Sequence, residues 1–534
     1  MNDANIYGLG EKLFTSLQKH GKKVAQFLAD TDEVNTYSDL LTRSIRTAIK
    51  LKAQGIKRGD IVSTCTHNNK DNWIPFLASQ FLGAISANFD ENLSPLDTVH
   101  LLKLIKPRIL FVSQNALEFM ESCLCKANVN TQLVVFGDSQ KYNTFSEYVE
   151  PCDEETTFYP VKVENENDIA VIIFSSGTTG LPKGICLHDK CLLNISKANL
   201  FKINNSEDKN VVVLFYSTLY WISCVFSLIK CVSNGYCYVI CKKFDPANSW
   251  RLIEKYKVTA KFLPPYDAIE FLKSRPKNVD VSSLEIFYTG SCPVNKQLME
   301  DLIVALPQTK ILNCYGCSET GGVAASFDST LVAEYKMQLL KPTSCGKICS
   351  DLKWKVVDTT SENILGPNEE GEIRVKADTI MKGYYKMDSS SAFDSDGYLR
   401  TGDLGYYDED ECFYIIGRIK EIFKYRGWHI VPTIIEDVLT SHPAVREAAV
   451  IGVPHEIDGN HPMGIVVLNN GYDNINTDTI VNFVNERVSE SQKLRAGVAI
   501  VTNIPKTTTG KIKRRALEEI ASYKPIIVSN NIKQ

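Results

Sequence analysis

The run Ser175-Ser176-Gly177-Thr178-Thr179-Gly180-Leu181-Pro182-Lys183-Gly184 carries the strongest local chemical signal in the chain. Its glycines allow a flexible loop. The hydroxyls, backbone N–H groups and single ammonium of such a loop can gather around a polyphosphate. The spacing is not the Gly-Lys-Ser/Thr tandem of a Walker loop. Composition alone leaves a turn-rich surface loop equally open. A second run, Lys506-Thr507-Thr508-Thr509-Gly510-Lys511, again sets hydroxyls and a glycine before a lysine, and Lys513, Arg514 and Arg515 follow it. In isolation that reads as a solvated basic tail.

The elements around these loops must hold them in place. Val171-Ile172-Ile173-Phe174 reads as a strand feeding the first loop. Residues 37–54 form an amphipathic helical pattern stopped by Gly55. Residues 60–64, 109–112 and 133–136 read as buried strands, and 73–83 as a helix between them. This alternation predicts α/β units with largely parallel sheets. Residues 211–229 are charge-free and long enough to span a bilayer. Their serines, threonine and β-branched opening favour a buried strand followed by a core helix. Near Gly346 the character changes. Residues 351–375 alternate like antiparallel strands around Gly366-Pro367-Asn368. Beyond Gly417 an α+β pattern follows, with a helix at 434–440 and strands at 448–453 and 465–468, and residues 525–534 are expected to fray.

At 534 residues the chain has room for about three to five domain-sized units. With 44% hydrophobic and 23% charged residues it is an ordinary folded composition, which excludes disorder and disulfide-dense mini-scaffolds. A net charge of −4 gives no strong field toward nucleic acid or anionic membrane. Sixteen cysteines are too few for a disulfide scaffold at this length. Residues 1–12 lack a secretory profile, so reduced thiols and a cytoplasmic location are expected.

Taken with its other motifs, the chain resembles the adenylate-forming superfamily of acyl-CoA synthetases, 4-coumarate ligases, peptide-synthetase adenylation domains and firefly luciferase. The run 175–184 matches the family phosphate loop throughout, and Thr36-Tyr37-Ser38-Asp39-Leu40 resembles its N-terminal segment. Tyr315-Gly316-Cys317-Ser318-Glu319-Thr320, Gly371-Glu372-Ile373, Tyr398-Leu399-Arg400-Thr401-Gly402-Asp403, Gly417-Arg418 and residues 505–512 follow in family order. The resemblance implies an α/β fold: a large N-terminal domain of packed α/β subdomains plus a β-barrel-like subdomain over 1–418, and a small mobile α+β lid over 419–534, hinged near Lys420. It also implies a two-step reaction in which a carboxylate attacks the α-phosphate of ATP, and a second reactant consumes the acyl-adenylate.

The resemblance assigns Ser175, Ser176, Gly177, Thr178, Thr179, Gly180 and Lys183 to the phosphates. Ser291, Asn313, Tyr315 and Gly316 fall to the nucleotide, with Tyr315 against adenine and Ser291 shared with the acyl pocket. Ser318 would contact phosphate and Glu319 would hold Mg²⁺, a hard ion that prefers oxygen donors. Asp403 would accept the ribose hydroxyls, with Arg418 beside them. Lys511 would bridge the carboxylate and α-phosphate, and Lys424 would replace it after the lid rotates. The acyl pocket would include Ser217, Thr218, Gly290, Ser291 and Cys292. Cys314, Cys317, Cys345 and Cys349 have a zinc-like spacing, but Tyr315 and Ser318 between them belong to the nucleotide motif, so buried thiols are the better reading.

The pattern departs from the firefly-like members at the acyl pocket. Ser217 stands where those members have histidine, Ser291 where glycine is usual, Ala377-Asp378 where Gly-Pro is found, and Gly417 where an aspartate precedes the arginine. An unusual pocket beside intact nucleotide motifs points to a changed acid. The resemblance therefore implies an acid:CoA ligase using ATP, Mg²⁺ and CoA, with an alternative: an O₂-dependent luciferase acting on a non-firefly, glowworm-type luciferin. A non-catalytic nucleotide sensor is disfavoured by the presence of Glu319, Asp403 and Lys511. No nucleic acid, membrane span or obligate protein partner is implied. The final residues are not the Ser-Lys-Leu peroxisome address, which again predicts cytoplasm.

Overall fold

A computed structural model describes residues 8–163, 165, 167–175, 181–197, 201, 210–506, 511–514 and 516–518. Two large sheets dominate. One has seven strands in the order Asn143–Thr144, Gln132–Phe136, Ile109–Ser113, Ile61–Cys65, Ile85–Ser86, Ile169–Phe174, Gly184–His188. All its neighbours are parallel except the last pair, an antiparallel hairpin with Phe174 opposite Gly184. The strands are buried along their length, as parallel strands covered on both faces must be.

The other sheet has nine strands. At its centre Cys237–Ile240, Val212–Leu214, Ala260–Leu263, Ile286–Gly290 and Lys310–Cys317 run parallel, and Gly322–Ser326 returns antiparallel. The charge-free run is accounted for here. It gives the buried strand Val212–Leu214 and the helix Ile222–Asn234, and among the described residues no helix is long and apolar enough to cross a membrane. The helix Tyr37–Ala53 starts on a capping box, because Thr36 accepts from the Asp39 amide while Asp39 takes the Thr36 N–H at 2.8 Å. Tyr37 is buried and its hydroxyl meets the carbonyls of Cys231 and Tyr236 at 2.7 and 2.6 Å. So this segment pins the helix Tyr37–Ala53 to the end of the helix Ile222–Asn234 and to the entry of strand Cys237–Ile240.

A four-stranded antiparallel sheet follows, Lys353–Val357, Gly371–Lys376, Leu399–Tyr407 and Phe413–Arg418. A single 3₁₀ turn, Ile419–Glu421, leads to the last sheet. That sheet contains Trp428–Ile430, Phe423–Tyr425, Gly459–Leu468, Val445–His455 and Val498–Ile500, and carries the helices Pro432–Thr440 and Thr477–Asn485. It has its own apolar core around Ile430, Ile435, Leu439, Val450, Val466 and Ile480. The chain is thus an α/β protein with a large N-terminal part and a small α+β C-terminal domain, as the motif order implied. The anticipated frayed segment 525–534 lies outside the described residues.

Candidate active site

The carboxyl ends of Ile286–Gly290 and Lys310–Cys317 lie side by side, with Gly290 opposite Cys314. Ligands of open parallel sheets gather at such ends. Tyr315 is buried there, and its hydroxyl donates to Asp403 Oδ2 at 2.7 Å. Asp403 comes from the antiparallel sheet, where strand register sets it opposite Arg418. Arg418 Nε lies 2.7 Å from Asp403 Oδ1, and its Nη1 donates to the Thr401 carbonyl at 3.2 Å. Burial, and then the adjoining carboxylate, raise the Tyr315 phenol far above its ordinary value, so it stays a donor. The same carboxylate holds Arg418 firmly charged. Three residues predicted from separate motifs therefore form one hydrogen-bonded set joining two sheets.

Several neighbouring polar atoms have no partner. Asn313 Nδ2 donates to the Thr343 carbonyl at 3.0 Å, but its Oδ1 is buried and unpaired, as are Ser291 Oγ and Thr289 Oγ1. Ser291 also sits at φ 75°, a left-handed conformation costly for a side-chain-bearing residue. Buried polar atoms are nearly always satisfied, so this concentration marks a place built for a polar ligand. Two glycines let the neighbouring strands approach closely here. A Cβ on Gly290 would lie 2.2 Å from the Cys314 carbonyl oxygen, and one on Gly316 would lie 2.0 Å from that of Gly322.

Ser318 and Glu319 occupy a 3₁₀ turn after Lys310–Cys317, and the Glu319 carbonyl accepts from the Met381 amide at 2.8 Å. Tyr384 faces this turn. Its phenol is pushed up to about 12 by burial and then by the Glu319 carboxylate. Lys183 Nζ lies 4.6 Å from the Tyr384 ring centre. The phosphate-loop hairpin is closed by two bonds, Ser175 N to Lys183 O and Lys183 N to Ser175 Oγ, both 2.9 Å. Ser176, Gly177, Thr178, Thr179 and Gly180 lie outside the described residues. Sequence reasoning gave Tyr384 no role. It stands in Met381-Lys382-Gly383-Tyr384, so the motif was there to be used.

Lys511 reaches this group from the C-terminal domain. Burial and then the Arg418 charge lower its pKa, while Asp403, Cys292 and Glu319 act the other way. Its surroundings thus include the Asp403–Arg418 pair and Glu319 together. The supports are local: Lys506 and Ile512 pair across the loop, and the Lys513 amide donates to the Pro505 carbonyl at 2.8 Å. Arg514 Nε lies 2.9 Å from Glu421 and its Nη2 3.1 Å from Glu436. Residues 507–510 are outside the description. Lys424, by contrast, is exposed on Phe423–Tyr425, and Lys420 is exposed in the turn Ile419–Glu421. Only one of the two lid lysines is at the site.

The lid contacts involve residues that sequence reasoning missed. Tyr266 donates to Glu447 Oε1 at 3.2 Å, and Lys506 bonds Glu447 Oε2 at 2.6 Å while lying 3.1 Å from the Tyr266 ring centre. Asp437 meets Asn295, and the protein packed around its carboxyl raises it to about 6. Glu447 and Asp437 carry no local signature, because their roles depend on contacts with distant residues.

In the acyl region, Ser217 Oγ accepts from Ser223 at 2.8 Å and Thr218 donates to Asp90 at 3.1 Å. Tyr216 turns the other way, bonded to Ser249 at 2.6 Å, and Tyr220 packs on Phe174 and Trp221. Tyr216 therefore does not fill the space that Ser217 leaves. Cys292 is accessible where the domains meet. The enclosing protein pushes its thiol up to about 11, with Lys511 opposing. The zinc-like cysteines are engaged separately. Cys314 Sγ donates to the Thr289 carbonyl at 3.4 Å, Cys345 accepts from Asn313 at 3.5 Å, and Cys317 meets Thr320 at 3.7 Å.

The sequence pattern of the AMP-binding enzyme family matches residues 13–385, and that of the AMP-binding enzyme C-terminal domain matches residues 434–511. Luciferin 4-monooxygenase of Photuris pensylvanica is 30% identical over 526 residues, covering 96% of this chain and 95% of that protein. 4-Coumarate–CoA ligase 1 of Petroselinum crispum is 30% identical over 515 residues, covering 94% and 92%. The solved structure of the luciferase-like enzyme from the nonluminescent mealworm Zophobas morio is 38% identical, with a TM-score of 0.74 over 79% of this chain and 98% of that one. With the larger family match spanning well over half of the sequence, the chain belongs to the AMP-binding, adenylate-forming enzyme family.

Proposed function

We propose that this enzyme activates a carboxylic acid with ATP and passes the acyl group to CoA. In the first step a carboxylate oxygen attacks the α-phosphorus, the bond to the bridging oxygen breaks, and pyrophosphate leaves. In the second, the CoA sulfur attacks the acyl carbon, AMP departs and the thiol proton is released. The observation that carries this reading is Lys511, brought from a separate domain to the Asp403–Arg418 pair and Glu319. A preorganised ammonium there can stabilise charge that develops between carboxylate and α-phosphate.

The unpaired Asn313 Oδ1 suits the exocyclic amine of adenine, and Tyr315 and Gly316 flank the same place. Asp403 retains lone pairs for ribose hydroxyls beyond its bonds to Tyr315 and Arg418. Ser175, Ser318 and Lys183 would face phosphate, joined by the loop 176–180. Glu319 offers oxygen donors of the kind Mg²⁺ takes, and the ion when bound would neutralise phosphate charge. The turn Ile419–Glu421, between two independent sheets, is the proposed hinge, with Lys420 at its centre and the lid from 419 onward. Rotation about it would withdraw Lys511 and bring Lys424 inward. Unpaired cysteines throughout the chain support a reducing, cytoplasmic setting.

A second reading is supported by the full-length similarity to luciferin 4-monooxygenase. Here O₂ rather than CoA would consume the adenylate, and light would be emitted. ATP–pyrophosphate exchange over a panel of acids tests the first step. Product analysis with CoA, and photon counting in O₂, then choose between the second steps. Absence of exchange with every acid would overturn both readings.

A further inference from the structure

The tip of the hairpin formed by Val445–His455 and Gly459–Leu468 gathers groups that the adenylation site does not use. His455 pairs with Gly459 and Val453 with His461, so the two histidines are diagonal neighbours on one face. Their rings stack with centres 3.9 Å apart and an interplanar angle of 14°. Asp458, in the turn between them, is largely buried. Its Oδ2 lies 2.7 Å from His461 Nε2 and 3.5 Å from His455 Nδ1. Its Oδ1 is taken by Arg426 Nε at 2.6 Å. Among the described residues this is the one group of three such side chains whose ligand atoms all lie within 4.8 Å of one another.

We propose that His455, Asp458 and His461 form a binding site for a divalent transition-metal ion on the C-terminal domain. Metal–ligand bonds of about 2.0–2.1 Å in a tetrahedron put ligand atoms roughly 3.3 Å apart, and the two carboxylate–imidazole spacings fall on either side of that; one ring, the exposed His455, would turn out of its stack so that both in-plane lone pairs meet the ion. Two imidazoles and one carboxylate suit zinc, cobalt, nickel or copper. Calcium and magnesium want oxygen alone. Arg426 supplies the outer support that ligating carboxylates commonly have, holding one oxygen and aiming the other at both rings. His455 Nδ1 accepts from the Asp458 amide at 3.2 Å, which marks it as the unprotonated nitrogen a metal requires. An ion would replace the proton of the His461–Asp458 bond and draw Nδ1 off that amide. Three protein ligands leave a position open to water, on the exposed His455 side.

The site is tied to the strand that carries Lys424. Gly459 pairs with Tyr425, the Arg426 amide donates to the Asp458 carbonyl at 2.8 Å, and Asn460 Nδ2 donates to the Lys424 carbonyl at 3.4 Å. On the reading proposed above, Lys424 serves the second half-reaction. An ion that stiffened this turn would restrict the strand that Lys424 rides on, so ion binding is expected to slow that step and to leave pyrophosphate exchange intact.

The test uses the full chain after chelation. Cobalt(II) titration should give one equivalent with visible d–d bands and no thiolate charge-transfer band, and zinc should displace it. His455→Ala and His461→Ala should each weaken binding by at least about 10-fold, in line with lost metal-site contacts. Asp458→Asn, which still offers Arg426 an acceptor, should do the same, and melting of the chelated proteins should match the parent. Undiminished binding in both histidine variants, a thiolate band, or no stoichiometric binding would overturn the site, whatever the enzyme's acid turns out to be. Micromolar zinc should slow use of a presynthesised adenylate in the parent and not in His461→Ala. Equal slowing in both would refute the link to Lys424.

Discussion

Lys511 and Ser291 are the residues at which sequence and structure speak most directly to chemistry. Lys511→Ala should reduce adenylate formation by at least about 10²-fold, the size expected for losing one preorganised charge contact. Ser291 combines a left-handed backbone with a buried hydroxyl that has no partner. Ser291→Gly should relieve about 1 kcal/mol of backbone strain, read as a higher denaturant midpoint for the large domain. Such a strained residue in a cleft suggests use, here a polar group on the acid that meets Oγ. Together with Ser217→His, the change should reorder kcat/KM among acids by about 1–3 kcal/mol per contact. Nucleotide affinity should barely move. An unchanged acid ranking with lost ATP binding would put both serines in the nucleotide site. At this scale the sequence was legible wherever residues lie in motifs, as with Tyr315, Asp403 and Arg418. It was silent on Glu447 and Asp437, whose partners are distant in the chain, and Lys424, expected at the site only after the lid rotates, is exposed in this arrangement.

Elements were legible where the pattern was periodic. The helix Tyr37–Ala53 and the strand Ile61–Cys65 fall within a residue or so of the spacing's prediction, because each buries one continuous apolar face. The helix Leu9–His20 was not anticipated, since its apolar stripe is brief and interrupted by lysines. Strand pairing was beyond reach of local pattern, yet it is what makes Gly290 obligatory. Gly290→Ala would drive a Cβ against the Cys314 carbonyl and should destabilise the domain by about 1–3 kcal/mol, with loss of nucleotide binding. Lys261, on the neighbouring strand Ala260–Leu263, is fully buried with no hydrogen-bond partner, over the Tyr216 and Phe271 rings. Burial lowers its pKa to about 7 from the ordinary 10.5. The unfolded chain then binds a proton the folded one lacks between those values, so this residue makes stability rise as pH climbs from about 7 toward 10. Lys261→Met should stabilise by about 1–4 kcal/mol at neutral pH and remove that slope in denaturation measured across pH.

At the scale of the whole molecule, the small domain sits against the large part with Lys511 near Arg418, Asp403, Cys292 and Glu319. Among the described residues its contacts with the large part include Tyr266 with Glu447 and Lys506, Asn295 with Asp437, and the Thr433 hydroxyl donating to the Ile416 carbonyl at 2.6 Å. Asp437 is exposed on one side of its helix, yet the protein packed around its carboxyl, and then Glu436, raise it to about 6 from 3.8. The docked state therefore binds the proton more tightly than an undocked one. Docking is favoured fully below about pH 4 and loses that contribution as pH rises through about 6. Fluorescence transfer between labels on the two domains should report more of the docked form at about pH 5 than at about pH 7.5, and Asp437→Asn should flatten the difference. The central claim is that one lid position makes the adenylate and another consumes it. Its most direct measurement compares Lys511→Ala with the parent in both half-reactions, pyrophosphate exchange and turnover of a presynthesised acyl-adenylate. The first should collapse while the second is largely preserved; equal loss in both would rule out a two-position lid.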